Sequence, residues 1–310
     1  MRTILWPVSL PGLQTKSYLN MELAVISGKG GTGKSSVTAA FATLGEKLVV
    51  ADCDVDAANL YLLFNPEHDS EQVYIGGHKA VVDHSLCTVC GICESYCRFD
   101  AIKEVEGKII ISETSCDGCF FCSRICPTDA ITMVRSDKSR MYSGSFRNGM
   151  MVYGRLAPGE ENSGKLVSMV RDEAKRVAAD KGMRTILLDG PPGIGCPVIS
   201  TVTGVDRIVI VTEPTMSGLA DLKRVHEVAR KFTSSAGVII NKADLNEAMA
   251  DRIEGWCGAQ GITMLGRLPF DRRVTDSMVA GRSVVEMYPD SEISKSINKI
   301  WNNLIVNGKE

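Results

Sequence analysis

The feature that most constrains the fold of this chain is a dense group of cysteines that occurs twice. Eight of the eleven cysteines of the 310-residue chain lie between Cys87 and Cys126. A shift of 29 residues places the first four on the second four, namely Cys87, Cys90, Cys93 and Cys97 on Cys116, Cys119, Cys122 and Cys126. The same shift places Lys79 on Lys108, and Asp100-Ala101-Ile102 on Asp129-Ala130-Ile131. These matches predict a small module built from two copies of a strand, a cysteine loop and a short helix.

The spacing within each copy is C-x2-C-x2-C-x3-C, and the second copy ends in Cys126-Pro127. Residues 78–134 therefore resemble a bacterial ferredoxin with two [4Fe–4S] clusters, in which the fourth cysteine of each run binds the other cluster. The resemblance implies one cluster on Cys87, Cys90, Cys93 and Cys126, and a second on Cys116, Cys119, Cys122 and Cys97. The first copy has Arg98 in place of proline, which leaves the ligands unchanged.

Two other uses of clustered cysteines fit this pattern less well. Zinc sites usually gather four ligands in two pairs rather than in two runs of four. A disulfide framework belongs in an oxidising compartment, and residues 1–20 lack the continuous apolar stretch of a secretory signal. Of the remaining cysteines, Cys53 and Cys257 are expected to be small core residues.

A glycine-rich loop predicts a second site. Residues 28–35 read GKGGTGKS, which matches the P-loop pattern G-x-x-x-x-G-K-[ST], and they lie between a predicted strand and a predicted helix. In such a loop the backbone N–H groups surround the phosphates, Lys34 neutralises the β and γ oxygens and Ser35 binds Mg²⁺. The residues predicted to contact the nucleotide here are Gly30, Gly31, Thr32, Gly33, Lys34, Ser35 and Ser36.

The additional Lys29 makes this loop more specific. With the paired glycines, it resembles the deviant Walker A motif of the MinD/ParA/Mrp and nitrogenase iron-protein superfamily. The resemblance covers residues 21 to about 305 apart from the cysteine-rich insert. It implies that Lys29 acts in catalysis by reaching across a dimer to the nucleotide of the partner chain.

Two further segments are similar to the switches of that superfamily. Asp52-Cys53-Asp54 with Asn59 resembles switch I, which implies that Asp54 orients the attacking water and that Asp52 lies near the metal. Residues 187–193, LLDGPPG, resemble Walker B and switch II, which implies that Asp189 reaches Mg²⁺ through water and that Gly193 senses the γ-phosphate. Phosphoryl transfer needs a neutralised charge, a held metal and an oriented water, and these side chains supply all three.

The base of the nucleotide has two possible identities. The resemblance implies that Asn241 contacts the base and that the segment around Pro269 forms an adenine loop, so ATP is the expected cofactor. However, Asn241-Lys242-Ala243-Asp244 also fits the N-K-x-D motif that reads guanine, and GTP stays open as the alternative.

The predicted fold is α/β: a P-loop NTPase with a mostly parallel sheet, interrupted by a small α+β ferredoxin-like domain. Strand and helix patterns alternate in residues 21–65 and again in 185–270, which is typical of a parallel sheet covered on both faces. The predicted ATPase domain comprises residues 21–65 and 136–310, and the insert comprises 66–135. Residues 136–164 are expected to form a long loop, and residues 1–20 a leader or loose arm before Met21.

Composition excludes several classes of partner. The chain has 35 Lys and Arg against 37 Asp and Glu, so it has no basic field for nucleic acid. No apolar run approaches the ~18 residues of a membrane span. An apolar stripe near the C-terminus, Ile293, Ile297, Ile300, Trp301, Leu304 and Ile305, is expected to pack on the sheet rather than on a lipid surface. We therefore expect a cytoplasmic protein without stable membrane association.

Taken together, the two parts resemble MinD-superfamily ATPases that contain an inserted ferredoxin domain. This resemblance implies a homodimer or a heterodimer with a sister ATPase, and a small metallocluster-binding partner of the dinitrogenase iron–molybdenum cofactor type. The expected functions are ATP-gated electron transfer or metallocluster assembly. Assembly is favoured by Cys196, since a thiol three residues after Gly193 could join that of a dimer mate. The alternative is a MinD-like positioning ATPase whose clusters are structural or redox-sensing.

Overall fold

The computed structural model describes residues 21–160, 163–233 and 235–306, so the expectation for residues 1–20 lies outside the described residues. The strands are β1 (Met21–Ser27), β2 (Leu48–Asp52), β3 (Ser70–Tyr74), β4 (His78–Val82), β5 (Ile102–Val105), β6 (Lys108–Ile111), β7 (Ile131–Arg135), β8 (Ser139–Phe146), β9 (Gly149–Arg155), β10 (Thr185–Pro192), β11 (Arg207–Thr212), β12 (Ala236–Ile240) and β13 (Thr263–Arg267). The helices are α1 (Lys34–Leu44), α2 (Leu60–Phe64), α3 (Ile92–Ser95), α4 (Phe121–Ile125), α5 (Ser163–Lys181), α6 (Cys196–Val202), α7 (Met216–Ala229), α8 (Glu247–Ala259), α9 (Arg272–Val279), α10 (Val284–Met287) and α11 (Glu292–Val306).

A nine-stranded sheet forms the body of the molecule, in the order β13-β12-β11-β1-β10-β2-β9-β8-β3. All neighbouring pairs from β13 to β9 are parallel, and only β8 runs against its neighbours. The predicted α/β class with a mostly parallel sheet is confirmed. Because the carboxyl ends of β1, β2, β10, β11 and β12 meet at one edge, the loops that follow them are brought together there.

Both faces of this sheet are covered, as the apolar strands require. In β1, every residue is buried; Leu23 and Val25 face one side and Ala24 and Ile26 face the other. Helices α5, α6, α7 and α8 contribute to the core on the second side, and α1, α2, α10 and α11 contribute to the core on the first. Two expected core cysteines, Cys53 and Cys257, are fully buried.

The C-terminal stripe packs on the sheet, as expected. Ile293, Ile297, Ile300, Trp301 and Leu304 are at most 6% exposed, and the Trp301 ring lies 5.2 Å from that of Phe41. Across the three described ranges, no helix has both the length and the apolar character needed to span a bilayer.

The expectation of a long loop over residues 136–164 is wrong. Residues 139–155 form the hairpin β8–β9, which extends the sheet, and α5 begins at Ser163. Two glycines of the hairpin allow other parts of the chain to pack closely against it. A Cβ on Gly144 would collide with the Glu67 carbonyl, and one on Gly154 would lie 2.8 Å from the Val55 side chain. β3 pairs with β8 in this sheet, so the strand near the start of the predicted insert is part of the main sheet.

The cysteine-bearing segment forms two small antiparallel sheets, β4–β7 and β5–β6. The 29-residue repeat appears in this arrangement, because the strand that opens each copy pairs with the strand that closes a copy. A separate cluster of seven buried residues lies between them: Ala80, Cys93, Ala101, Ile102, Ile109, Cys116 and Ile131.

Candidate functional site

The conformation of the loop between β1 and α1 depends on its glycines. Gly31 and Gly33 have φ of +81° and +88°, in the left-handed region that glycine adopts most readily. A Cβ on Gly33 would also collide with the Asn241 side chain, and one on Gly28 would lie 2.6 Å from the Asp221 Cβ. In the same loop the Thr32 hydroxyl is buried and has no hydrogen-bond partner among the described residues. The loop therefore presents backbone N–H groups and one spare hydroxyl beside the start of α1.

Charged groups meet directly behind this loop. The Lys34 ammonium lies 3.0 Å from Asp189 Oδ1 and 3.9 Å from Asp54 Oδ2. Burial alone lowers the pKa of Lys34, but the carboxylates of Asp189, Asp54 and Asp52 outweigh it and raise that pKa above its usual range. Lys34 is thus a buried cation that stays charged.

Asp189 is also held by two hydroxyls of α1. Ser35 Oγ donates to Asp189 Oδ2 at 2.8 Å, and Thr38 Oγ1 donates to Oδ1 at 2.7 Å. Thr38 belongs to no motif and was not among the residues predicted for this site. The available signal was a hydroxyl residue one helical turn after Lys34, on the same face of α1.

Asp52 organises the loop that carries Asp54. Its carboxylate is fully buried and accepts backbone hydrogen bonds from Asp54, Asn59 and Leu60 at 3.1–3.2 Å. Burial, with the nearby charge of Asp189, raises the pKa of Asp52 to about 7. Burial likewise raises the pKa of Asp54. The hydrogen bonds of Asp52 therefore go to the switch I backbone, while Asp54 faces Lys34.

In this structure the Lys29 side chain contacts residues of its own chain. Its ammonium forms an ion pair with Glu213 and donates to Ser217 Oγ at 3.0 Å, and its side chain is 30% exposed. Lys242 approaches the other Glu213 oxygen at 3.6 Å and donates to the Gly31 carbonyl at 3.1 Å. The predicted contact of Lys29 with a second chain stays a prediction.

A cavity of about 200 Å³ lies beside the loop and contains the predicted base contacts. Ser36, Asn241 and Pro269 line it, and the Asn241 amide donates to the Thr32 carbonyl at 2.8 Å. Asp244 does not line it; its Oδ1 accepts the Phe270 N–H at 2.6 Å instead.

Gly193 is the remaining residue of those predicted to contact the nucleotide. It follows β10 with φ of +97°, and its N–H donates to the Ser27 carbonyl at 2.9 Å, next to the glycine loop. Cys196 begins α6 three residues later and is exposed, and a Cβ on Gly164 would lie 3.3 Å from its Cβ. The segment after β10 thus lies between the glycine loop and the start of α5.

The eight clustered cysteines line two pockets. One, of about 490 Å³, is bounded by Cys97, Cys116, Cys119 and Cys122, and the other by Cys87, Cys90 and Cys126, while Cys93 borders both. Each pocket thus receives its fourth cysteine from the other copy of the repeat. Within the described ranges, no three His, Cys, Asp or Glu side chains are close enough to hold a single metal ion.

The repeat extends to the backbone around these pockets. Left-handed residues occur in matching pairs: Val89 and Gly118, Gly91 and Phe120, Asp100 and Asp129. The Ala101 N–H donates to Cys97 Sγ at 3.4 Å, and the Ala130 N–H donates to Cys126 Sγ at 3.3 Å. Hydrogen bonds of this kind stabilise the thiolate form and tune iron–sulfur ligands.

Comparison with known proteins agrees with the main sheet and its loop. A family model described as the CobQ/CobB/MinD/ParA nucleotide binding domain matches residues 23–284. An uncharacterized protein of Methanocaldococcus jannaschii is 34% identical, over 92% of this chain and 96% of its own. An iron-sulfur cluster carrier protein of Pyrococcus horikoshii is 22% identical, over 98% of this chain and 95% of its own. The structure of the septum site-determining protein MinD of Pyrococcus horikoshii, complexed with Mg-ADP, has the same fold, with a TM-score of 0.54 at 20% identity over 92% and 95% of the two chains.

Proposed function

Since this chain belongs to the CobQ/CobB/MinD/ParA nucleotide-binding family, we propose that it is a Mg²⁺-dependent ATPase coupled to two [4Fe–4S] clusters. The clusters would serve electron transfer to a partner protein or metallocluster assembly on it. One observation carries the proposal: a chain with a P-loop also places eight cysteines around two pockets, each completed by the opposite copy of the repeat.

The residues around the loop fit a magnesium nucleotide. The unpartnered Thr32 hydroxyl and the backbone N–H groups of the loop suit phosphate oxygens, and Lys34 suits the β and γ positions. Ser35 and Asp189 would hold Mg²⁺, with Asp52 close by. When bound, Mg²⁺ neutralises charge on the phosphate oxygens. The MinD of Pyrococcus horikoshii, which shares the fold, was solved with Mg-ADP.

The hydrolytic step would depend on Asp54. Its carboxylate faces Lys34 at 3.9 Å, so a water bound to it lies beside the phosphate that Lys34 neutralises. Asp52 fixes the Asp54 loop through its three backbone hydrogen bonds. Gly193, whose N–H now binds the Ser27 carbonyl, would respond to the γ-phosphate.

The base would be adenine. Guanine recognition by an N-K-x-D motif needs the aspartate carboxylate at the base, but Asp244 does not line the cavity that contains Asn241 and Pro269. We expect ATP to displace a fluorescent nucleotide at lower concentration than GTP does. Tighter binding of GTP would overturn this assignment.

The cysteine pockets fit iron–sulfur clusters better than single zinc ions. A cubane holds its four thiolates apart, whereas zinc draws its ligands around one atom at Zn–S distances of about 2.3 Å. Each cavity is bordered by the three closely spaced cysteines of one copy and by the fourth cysteine of the other, which is the ligand pattern of paired cubanes, and two of these cysteines accept backbone N–H groups. Bound clusters supply one-electron chemistry. The first would be held by Cys87, Cys90, Cys93 and Cys126, and the second by Cys97, Cys116, Cys119 and Cys122.

The test is anaerobic purification followed by iron analysis and EPR. We expect about eight irons per chain, four for each cluster, and an ATPase rate that changes when the clusters are reduced. A chain that hydrolyses ATP but binds no iron would overturn the coupled function and leave the ATPase alone.

Assembly on a client is a second candidate because of Cys196. This thiol is exposed at the start of α6, directly after switch II, so nucleotide state would move it. A relative is described as an iron-sulfur cluster carrier protein. We expect Cys196→Ala to retain its own iron yet lose transfer to a small metallocluster-binding client; unchanged transfer would favour electron transfer.

We base proposals for the oligomeric state and the cellular compartment on Lys29 and on the free cysteines. We propose a dimer, with itself or with a sister ATPase, because Lys29 stands at the exposed edge of the loop. We also propose that the protein works in the reducing cytoplasm, where its free thiols persist. A positioning role is disfavoured because the apolar face of α11 is buried in the core; ATP-dependent pelleting with liposomes would restore it.

A further inference from the structure

One segment connects the two sites directly. Residues 155–160, here called the strap, leave β9 and lead toward α5. At its first end, the Leu156 N–H donates to the Val55 carbonyl at 2.9 Å, and Val55 directly follows Asp54. Gly154 keeps this approach close, since a Cβ there would lie 2.8 Å from the Val55 side chain. The loop that carries Asp54 is therefore in direct contact with the strap at Val55.

At its second end, the strap is fixed to the cysteine module by Lys79. The Lys79 ammonium donates to the Gly159 carbonyl and, at 2.7 Å, to the carbonyl of Cys116. A Cβ on Gly159 would collide with the Thr114 carbonyl, so the strap lies directly on the second cysteine loop. The Glu160 carboxylate accepts the Ser136 hydroxyl, which adds a second attachment at the end of the module.

Lys79 is unusual because it is a buried cation held by carbonyl groups. It is 6% exposed, and among the described residues its ammonium forms no ion pair with a carboxylate. Burying such a charge is costly unless a compensating negative charge lies nearby. The thiolates of the second cysteine pocket, which includes Cys116, would supply that charge.

The repeat offers a built-in comparison. Lys108 is the counterpart of Lys79 in the second copy, but it is exposed at the end of β6 opposite Val105. Both cysteine loops have the same local hydrogen bond, from the Cys87 N–H to the Asp83 carbonyl and from the Cys116 N–H to the Ser112 carbonyl. The contact with Lys79 and the strap is an addition at the second loop. The strap therefore distinguishes two loops that are otherwise related by the repeat.

We propose that Lys79 is a positioning residue that couples switch I, through the strap, to the second cluster in preference to the first. The inference deepens the proposed function and rests on it. Its positive charge stabilises the extra electron of the reduced second cluster, and its two hydrogen bonds transmit nucleotide-dependent movement of Val55 to the Cys116 loop. The cluster on Cys97, Cys116, Cys119 and Cys122 is thus the nucleotide-responsive one.

The experiment uses the anaerobically purified full chain and three variants: Lys79→Gln, which retains donors without the charge, Lys79→Met, which removes both, and Lys108→Gln as the exposed control. Dithionite supplies single electrons in a redox titration followed by EPR, with saturating Mg-ADP or a non-hydrolysable Mg-ATP analogue. In the parent chain we expect one cluster potential to change with the nucleotide. Both Lys79 variants should lower that potential, and Lys79→Met should abolish its nucleotide dependence, while Lys108→Gln matches the parent chain.

Hydrogen exchange gives a readout that does not depend on electrons. We expect the Mg-ATP analogue to change exchange of residues 112–119 more than that of residues 87–93 in the parent chain and in Lys108→Gln. The difference should vanish in Lys79→Met. Persistence of both the difference and the potential shift in Lys79→Met would overturn the proposal.

The outcomes separate this inference from the proposed function. Failure of the parent chain to bind iron would overturn the clusters and this inference together. Iron bound at the parent level in Lys79→Met, with an unchanged nucleotide-dependent potential shift and exchange difference, would overturn only the role of Lys79. If Lys79→Met does not fold, Lys79→Gln decides through the lowered potential. Loss of the cysteine module in both variants, shown by rapid exchange of β4, would overturn coupling in favour of a structural role.

Discussion

The nucleotide-binding body and the cysteine module are stabilised in different ways. The body has nine hydrogen-bonded strands and a large core on each face, so its stability comes mainly from buried apolar surface. The module, residues 78–135, has two pairs of strands, and two of the seven buried residues of its core are cysteines. Isolated two-stranded sheets are marginal in water. We therefore expect the body to hold its shape alone and the module to depend on a ligand of its cysteines.

Electrostatics divides the two regions in the same way. In the body, Lys34 lies among three carboxylates, which raise its pKa and keep it charged without a ligand. In the module, burial raises the pKa of Cys122 to about 11 and also raises that of Cys93. These thiols are neutral near pH 7 without a metal, and metal binding must release their protons. The site around Lys34 is therefore charged before a ligand binds, whereas the cysteine pockets would become charged when a metal displaces the thiol protons.

The effect expected to involve the most residues is disorder of the module without its iron. We expect Cys116→Ser to disorder residues 78–135 and leave the main sheet folded, because the module lacks a sufficient core of its own. Proteolytic cleavage within these residues should become faster by roughly tenfold or more, which corresponds to about 1.4 kcal/mol or more of local stability. The exposed Cys196→Ser is the control and should resist cleavage like the parent chain. If Cys116→Ser resisted proteolysis as well as the parent chain does, the module would not depend on its cysteine ligands for stability.

The next effect tests the body through Lys34. Replacing it with alanine removes the cation from three buried carboxylates and from the nucleotide phosphates. We expect nucleotide affinity to fall by about 100-fold or more, since losing one partner of a buried charge pair costs about 2–5 kcal/mol or more. Fluorescence titration measures this, with the exposed Lys231→Ala as a control of unchanged affinity. Iron content should be the same in both variants; loss of iron from Lys34→Ala would mean that the two regions do not fold separately.

Asp54 gives a third, more selective effect. Asp54→Asn would remove the charge that we propose to orient water, while keeping the shape of the side chain. We expect nucleotide affinity to be retained and hydrolysis to slow by about 10²–10⁴-fold, the range for loss of a positioned proton-accepting group. Asp56→Asn, on the same loop but exposed, serves as the matched control. Phosphate release by Asp54→Asn at the parent rate would remove Asp54 from the mechanism.

Sequence periodicity was sufficient for the parallel strands and the repeat because both depend on local spacing. Apolar runs in residues 48–52 and 207–211 became strands, and the 29-residue shift reappeared in paired strands and left-handed residues. The hairpin at 139–155 was missed because its Ser and Gly residues indicate a loop locally. Gly144 and Gly154 are required because Glu67 and Val55, which are distant in sequence, pack directly against them.

The side chains that complete each site were harder to predict than the motifs. Thr38 and Lys79 act on groups brought together by the tertiary fold, Asp189 and Cys116, and neither has a motif of its own. Lys29 was predicted from its motif, but its ion pair with Glu213 depends on β11 lying beside β1. The motifs thus identified the residue types that the chemistry needs. The partner that each of these side chains has in the absence of a ligand depends on contacts between residues distant in sequence.

The smallest expected effect concerns that ion pair. A Lys29 that acts on a second chain must first leave Glu213, and a partly exposed pair of this kind is worth about 1 kcal/mol or less. Glu213→Gln should therefore lower the protein concentration that gives half-maximal ATPase activity by up to about fivefold. Lys29→Ala should instead abolish the rise of specific activity with concentration, and Lys29→Ala with Glu213→Gln should behave as Lys29→Ala alone. If Glu213→Gln still altered the rate in the Lys29→Ala background, Glu213 would act independently of the lysine, and the dimer step would not pass through this pair.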